Sequence, residues 1–356
     1  MAVHFHQLAV KEIKKETADC VSVSFDVPAG LSKNFEFIPG QNITLKTVID
    51  GEEIRRSYSI CTAPHENDLR VAVKKVEGGK FSVYANELLQ KGIMLDVLSP
   101  TGNFYTAIKE GQQKNYVAFA AGSGITPVIS IIKTVLTTEP ASSFTLVYSN
   151  QTRNSIIFFD ELEGLKNKYL QRFQLIHILT REGTDNEISF GRINTEKLEM
   201  LSKLINYKQA DEFFICGPQE MIFSIKDYLE STGIDKKKIH FELFATAAIK
   251  QKVINTAISP SAPAKSIVQV KLDGRIREFS MHSESSILEE ALKQGADLPF
   301  ACKGGMCCTC KAKLLEGKVE MDVHWGLEDE EIEKGYILTC QSHPLTEKVV
   351  IDFDAR

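Results

Sequence analysis

The sequence predicts a multidomain chain: an antiparallel β-barrel over 1–108, an α/β domain with a doubly wound parallel sheet over 109–247, a linker over 248–264, and a small α+β domain over 265–356. Three observations carry this reading. The 356 residues exceed the about 100–200 residues of one domain. Near residue 115 the hydrophobic pattern changes from closely spaced β-rich runs to strands alternating with helices. Four of the eight cysteines then fall within nine residues, at 302–310.

Composition narrows the class. With 43% hydrophobic residues and 42 Lys+Arg against 47 Asp+Glu, the chain is neither disordered nor fibrous. Residues 265–356 carry 12 basic and 17 acidic side chains, so the whole net charge of −5 sits in the last domain. Neither part offers the basic face that phosphate backbones require, which argues against a nucleic-acid partner. Met1–His6 has no basic n-region or apolar core of a signal peptide. The uncharged stretch Asn115–Ile132 is broken by Gly122, Ser123, Gly124, Thr126 and Pro127, so no membrane insertion is expected. Clustered cysteines suit a metal in a reducing cytoplasm better than a secreted disulfide framework.

In the first domain, strands are expected at His4–Val10, Val21–Val27, Ile43–Ile49, Ile54–Ile60 and Leu69–Val76, with Asp50-Gly51 as a hairpin turn. One helical pattern, Val83–Gln90, interrupts them. In the second, strands Tyr116–Ala121, Phe144–Tyr148, Gln174–Leu179 and Glu212–Cys216 alternate with helices near 126–137, 158–168, 194–205 and 218–231, the pattern of a parallel sheet. Residues 248–264, rich in Ser, Ala and Pro, have a tether's composition. The last domain opens with a hairpin, Ile267–Leu272 and Arg275–Ser280 about Asp273-Gly274, followed by a helix capped by Ser286 with Glu289, and closes on strand Val349–Phe353.

Cys302-Lys-Gly-Gly-Met-Cys307-Cys308-Thr-Cys310 with distant Cys340 gives C-x4-C-x2-C plus a fourth cysteine, the spacing of a plant-type [2Fe–2S] site. Gly304 and Gly305 let the backbone turn around inorganic sulfur and expose N–H groups to it. A structural zinc loop is the alternative, but zinc ligands usually come as two close pairs rather than three and one. Cys308 is then the spare, a small packed residue. Residues 265–356 resemble plant-type ferredoxins throughout, which implies a β-grasp fold and a cluster passing single electrons. The acidic run Glu328-Asp329-Glu330-Glu331, with Glu333, either steers a basic partner or is a solvated helix face.

Arg56-Ser57-Tyr58-Ser59 ends a barrel strand, where a flavin would need a cation for phosphate, a ring for the isoalloxazine and a hydroxyl near N5; alternate residues on one strand face could provide all three. Gly78-Gly79-Lys80-Phe81-Ser82 opens a helix whose N–H groups and hydroxyl suit a pyrophosphate. Gly122-Ser-Gly124-Ile-Thr126-Pro127, between a strand and an apolar helix, is a G-x-G-x-x-P variant of the dinucleotide loop. Cys216-Gly217-Pro218 ends the fourth strand beside the expected ligand crevice, where Cys216 could equally be a buried apolar thiol.

In this order the four motifs resemble the ferredoxin–NADP reductase family over residues 1–247. The resemblance implies Arg56, Ser57, Tyr58 and Ser59 around FAD, with Gly79, Lys80, Phe81 and Ser82 at its pyrophosphate. It implies Gly122, Gly124, Thr126, Pro127, Cys216, Gly217 and Pro218 around the nicotinamide nucleotide. Ser59, Cys216 and Glu242, the last within His240-Phe241-Glu242-Leu243-Phe244, become the residues nearest the chemistry; a surface carboxylate at a strand end is the other reading of Glu242. Arg153 and Arg181, with Arg192 as a further possibility, could bind a 2′-phosphate, which favours NADPH over NADH.

Joined to the ferredoxin-like tail, this implies an oxidoreductase passing electrons from NADPH to FAD, then singly to the [2Fe–2S] cluster and on to an oxygenase partner. The wording of the motifs is similar to reductase components of the di-iron oxygenases in bacterial phenylacetate catabolism. A reductase for another di-iron or Rieske oxygenase, or a flavin/Fe–S redox sensor without sustained turnover, are the alternatives.

Overall fold

The computed structural model describes residues 4–183, 186–244, 265–282 and 284–355. Six antiparallel strands, β1 (Phe5–Thr17), β2 (Cys20–Asp26), β3 (Asn42–Ile49), β4 (Glu52–Ser59), β5 (Leu69–Lys74) and β6 (Met94–Leu98), pair in the order β4-β3-β6-β1-β2-β5. A bridge between Ile60 and Val71 brings the two edges together and closes the barrel. At the β3–β4 turn Asp50 (φ 52°) and Gly51 (φ 77°) are both left-handed, the geometry that makes an Asp-Gly pair a hairpin turn. Helix α1 (Lys80–Glu87) starts three residues before the expected Val83, with Gly79 as its N-cap. The sequence pattern does not predict strand β6; five residues between turns carry too short an alternation to be recognised.

The second domain is a five-stranded parallel sheet of β7 (Asn115–Ala121), β8 (Ser143–Asn150), β9 (Phe173–Leu179), β10 (Glu212–Gly217) and β11 (Ile239–Leu243), ordered β11-β10-β7-β8-β9. Helices α2 (Ile125–Thr138), α3 (Phe159–Lys168), α4 (Thr195–Leu201) and α5 (Gln219–Ser231) cover it. The strand order reverses between β7 and β10, where doubly wound sheets open a crevice for ligands. Ile125 through Leu136 are buried without a solvated stripe, since α2 lies between the sheet and the barrel residues Cys20, Cys61, Ala72 and Phe104. Its Ser130 hydroxyl donates to the Thr62 carbonyl at 2.6 Å, joining the two domains. The uncharged 115–132 stretch is therefore β7 plus a helix buried by protein, and no helix among the described residues is long and apolar enough to cross a membrane.

The last domain has a mixed sheet of β12 (Ser266–Leu272), β13 (Arg275–Met281), β14 (Lys311–Glu316), β16 (Tyr336–Leu338) and β18 (Lys348–Asp352), ordered β13-β12-β18-β14-β16. The short pair β15 (Val319–Met321) and β17 (Ser342–Pro344) stands beside it. Helix α6 (Ile287–Lys293) buries Ile287, Leu288 and Ala291 against the sheet, and Ser286 caps it by accepting from the Glu289 N–H. Together with the short α7 (Asp329–Glu333), this is a β-grasp arrangement. The linker expected at 248–264 lies outside the described residues.

Candidate redox site

The pleat of β4 divides the R-x-Y-S motif between two faces. Tyr58 looks towards the barrel side, its ring 5.5 Å from Phe81, and Arg56 shares that face and is exposed. Ser57 and Ser59 point the other way: Ser57 Oγ lies 2.9 Å from Thr44 Oγ1, and Ser59 Oγ donates to Glu242 Oε2 at 2.9 Å. One strand face does not provide cation, ring and hydroxyl together, so that expectation is corrected: the hydroxyl comes from the opposite face, at the strand's end. The N-terminus of α1 carries no side-chain cap, leaving its first N–H groups open to an anion, as a bound pyrophosphate requires. The Ser82 hydroxyl is occupied in shaping that turn, accepting from Val76 N and donating to Gly79 O, both at 3.1 Å. Lys80 pairs with Glu52 at the surface.

At the switch point Gly122 (φ 53°) and Gly124 turn the chain from β7 into α2, whose N-terminus also lacks a side-chain cap. A Cβ on Gly124 would stand 2.1 Å from the Cys216 carbonyl oxygen, so only glycine lets the loop close onto β10. Thr126 donates to Ser123 O at 3.0 Å, Pro127 occupies the first turn, and Tyr148 donates to Gly122 O at 2.9 Å. Gly217 and Pro218 lead from β10 into α5, with the Gly217 position closed in by Met221 and Ala121.

Cys216 and Glu242 are register partners at the C-terminal ends of β10 and β11. Cys216 is fully buried, which pushes its thiol well above the ordinary value. Burial likewise pushes the Glu242 carboxyl up to about 7, against the Ser59 hydrogen bond and with the nearby Cys307 adding to the rise. Glu242 is thus a half-buried group where three domains meet, not an open surface carboxylate.

The four predicted thiols fall into two pairs, Cys302 with Cys307 and Cys310 with Cys340, the pairs within electrostatic reach of each other. Two pairs suit two irons, and the donor set fits a [2Fe–2S] centre. The Gly304 and Cys307 N–H groups reach Cys302 Sγ at 3.3 and 3.4 Å, and Gln341 Nε2 reaches Cys340 Sγ at 3.6 Å, the hydrogen bonds that hold thiolate charge. Donation from the Cys302 thiol, followed by Thr309, holds the Cys307 thiol below its ordinary value. Gly305 (φ 71°) makes the turn, and a Cβ there would strike Val323 Cγ2 at 2.5 Å. Cys308 Sγ donates to Gly326 O at 2.6 Å, a packing role.

The acidic run faces inwards in part. Glu328 is exposed, Glu330 lies 3.5 Å from Lys237, and half-buried Glu331 accepts from Asn103 at 2.6 Å and Lys311 at 2.7 Å. Arg153 and Arg181 are exposed in adjoining loops after β8 and β9, tied by Arg181 N to Gln151 O at 2.9 Å; Glu182 accepts from Arg153 N at 2.8 Å. Arg192 stands apart, exposed and 4.0 Å from Glu220. Sequence reasoning missed buried Arg55 and Thr44, both of which touch the last domain. It also missed Trp325, whose ring packs 6.4 Å from Phe223 of α5.

Family models match in the same order: an oxidoreductase FAD-binding domain over 7–105, an oxidoreductase NAD-binding domain over 119–227 and a 2Fe-2S iron-sulfur cluster binding domain over 270–345. The chain is 46% identical over 354 residues to one of the subunits of the 1,2-phenylacetyl-CoA epoxidase of Escherichia coli, covering 99% of this chain and 98% of that one. It is 33% identical over 352 residues to the ferredoxin reductase component of 3-ketosteroid-9-alpha-monooxygenase of Rhodococcus rhodochrous, covering 97% and 96%. Phthalate dioxygenase reductase, at 22% identity, has the same three-part fold over 98% of both chains with a TM-score of 0.58. The chain belongs to the family of ferredoxin-reductase-type oxidoreductases that serve oxygenase systems, moving electrons from a pyridine nucleotide through FAD to a [2Fe–2S] centre.

Proposed function

We propose that this chain is the NADPH-oxidising, cytoplasmic reductase of a phenylacetyl-CoA epoxidase complex. The observation that carries the electron path is the convergence at Glu242, which binds Ser59 of the barrel, neighbours Cys216 of the α/β domain and lies near Cys307 of the cysteine loop. The choice of acceptor rests on 46% identity to the Escherichia coli epoxidase component over nearly all of both chains. Bound FAD accepts electrons in a pair and releases them singly, and a [2Fe–2S] centre stores one at a time.

The protein's part is placement. Arg56 offers phosphate a cation, Tyr58 backed by Phe81 offers the isoalloxazine a flat apolar face, and the Gly78–Ser82 turn presents N–H groups to the pyrophosphate. The Gly122–Pro127 loop approaches the nucleotide backbone, while Ser59, Cys216 and Glu242 flank the place of reaction. Cys302, Cys307, Cys310 and Cys340 hold the irons. Arg153 and Arg181 provide cations for a 2′-phosphate. This reading takes 108/109 and 247/248 as the domain limits, the first of them falling between β6 and β7. None of the eight cysteines is joined in a disulfide, in keeping with a reducing compartment.

The test is reconstitution with a purified phenylacetyl-CoA epoxidase oxygenase and, separately, a 3-ketosteroid monooxygenase oxygenase. Substrate-dependent NADPH oxidation is expected with the former, at a kcat/KM above that for NADH. Turnover only with the latter would overturn the acceptor, and equal use of NADH would overturn the coenzyme.

A further inference from the structure

We propose that Arg55 is the positioning residue that seats the cluster-bearing domain against the barrel for electron delivery. This rests on the reading in which electrons pass from FAD to the cluster. Arg55 is adjacent to Arg56 on β4 but points to the opposite face, and its side chain is only 5% exposed. Nη1 donates to Leu298 O at 3.2 Å and Nη2 to Asp297 Oδ1 at 2.9 Å, both in the last domain, while Nε donates to Glu53 Oε1 at 2.8 Å. The guanidinium also lies 4.3 Å from the centre of the Phe300 ring and 5.2 Å from that of Phe5.

A planar fork that donates at its edges and stacks on its face suits this junction, and an ammonium cannot do both. The segment it holds, Asp297–Ala301, runs directly into Cys302, so moving it moves the first thiol. Further polar links between these two domains lie around it, the shortest from Asn103 Nδ2 to Glu331 Oε2 at 2.6 Å. Thr44 Oγ1 meets Thr309 Oγ1 at 3.4 Å, and exposed His4 Nε2 lies 3.4 Å from Asp273 Oδ1, whereas the exposed Lys237–Glu330 pair reaches the α/β domain instead. Since β4 carries Arg56 and Tyr58 on one face and Arg55 on the other, one rigid strand sets the separation of flavin cradle and cysteine loop.

The test uses the full-length protein loaded with FAD and iron–sulfur cluster, as wild type, Arg55→Lys, Arg55→Glu and Phe300→Leu. Hydrogen exchange reads docking without turnover. In Arg55→Glu the amides of 297, 298, 300, 301 and 42–46 should exchange about tenfold faster, with Val21–Phe25 unchanged, and Arg55→Lys should be intermediate. By stopped flow, cluster bleaching after flavin reduction should slow about tenfold while NADPH–ferricyanide activity stays within about twofold. Unchanged exchange, or equal losses at flavin and cluster level, overturns the proposal. If Arg55→Glu does not fold, Arg55→Lys and Phe300→Leu must show the same split. A wild type whose flavin takes no electrons from pyridine nucleotide would instead sink the functional reading, and exchange would still decide the docking.

Discussion

Ser59 Oγ donates a 2.9 Å hydrogen bond to Glu242 Oε2, tying the end of β4 to β11 across the junction of barrel and parallel sheet. The two residues are far apart in sequence; the bond exists because both strands end at the same crevice. It places a hydroxyl and a half-buried carboxyl within one hydrogen bond, next to Cys216 on which the Gly122–Pro127 loop closes.

Burial pushes the Glu242 carboxyl from an ordinary value of 4.5 up to about 7. Between those values the folded chain keeps a proton that the unfolded chain has lost, so its contribution to stability is present below about 4.5 and declines as pH rises through about 7. The full decline is roughly 3 kcal/mol. Glu242→Gln should remove it, so denaturation of the cofactor-free protein at pH 5 and pH 8 should give closer midpoints in the variant than in wild type. Parallel pH profiles would refute this.

Gly124→Ala is expected to damage nucleotide binding selectively. The added methyl would stand 2.1 Å from the Cys216 carbonyl, forcing the loop off β10. KM for NADPH should rise about tenfold or more with FAD content unchanged, a loss of about 1.4 kcal/mol or more in binding. Isothermal titration with NADP+ measures it; wild-type affinity would show that the loop adapts.

Lys133 in α2 is 8% exposed and bridges Glu66 of the barrel at 2.9 Å to Glu161 of α3 at 2.8 Å. Burial works to lower its pKa, yet the two carboxylates hold it above the ordinary value. Lys133→Ala leaves both acids without their cation and should cost about 3 kcal/mol in urea denaturation. A change under about 1 kcal/mol would mean that water replaces the bridge.

Cys308→Ser should retain the visible spectrum and two irons per chain, because Cys308 is bonded to Gly326 O and lies outside the two thiol pairs. Cys310→Ser should lose most of the iron. Equal losses in the two variants would place Cys308 among the ligands.

The fold was legible wherever the signal is local. Asp50-Gly51 and Asp273-Gly274 announce hairpins through their left-handed preference, and the cysteine spacing announces a cluster loop because three ligands lie within nine residues. The Arg55 junction was not, since its partners Asp297 and Leu298 are more than 240 residues away in sequence and a buried arginine looks like any surface one. The division of Arg56 and Ser59 between faces follows from the two-residue period of a strand, yet it matters only once the flanking domains are in place. Helix α2 reads as an apolar run; that both its sides are covered depends on the barrel.

Strand β4 limits how this chain can vary. Inserting or deleting one residue between Glu52 and Ser59 would exchange its two rows of side chains, turning Arg56 towards the ferredoxin-like domain and Arg55 towards the face that Tyr58 occupies. Its length is therefore constrained more tightly than its composition. Point changes can be absorbed one at a time, whereas a single-codon slip would disconnect the input and output ends of the molecule at once.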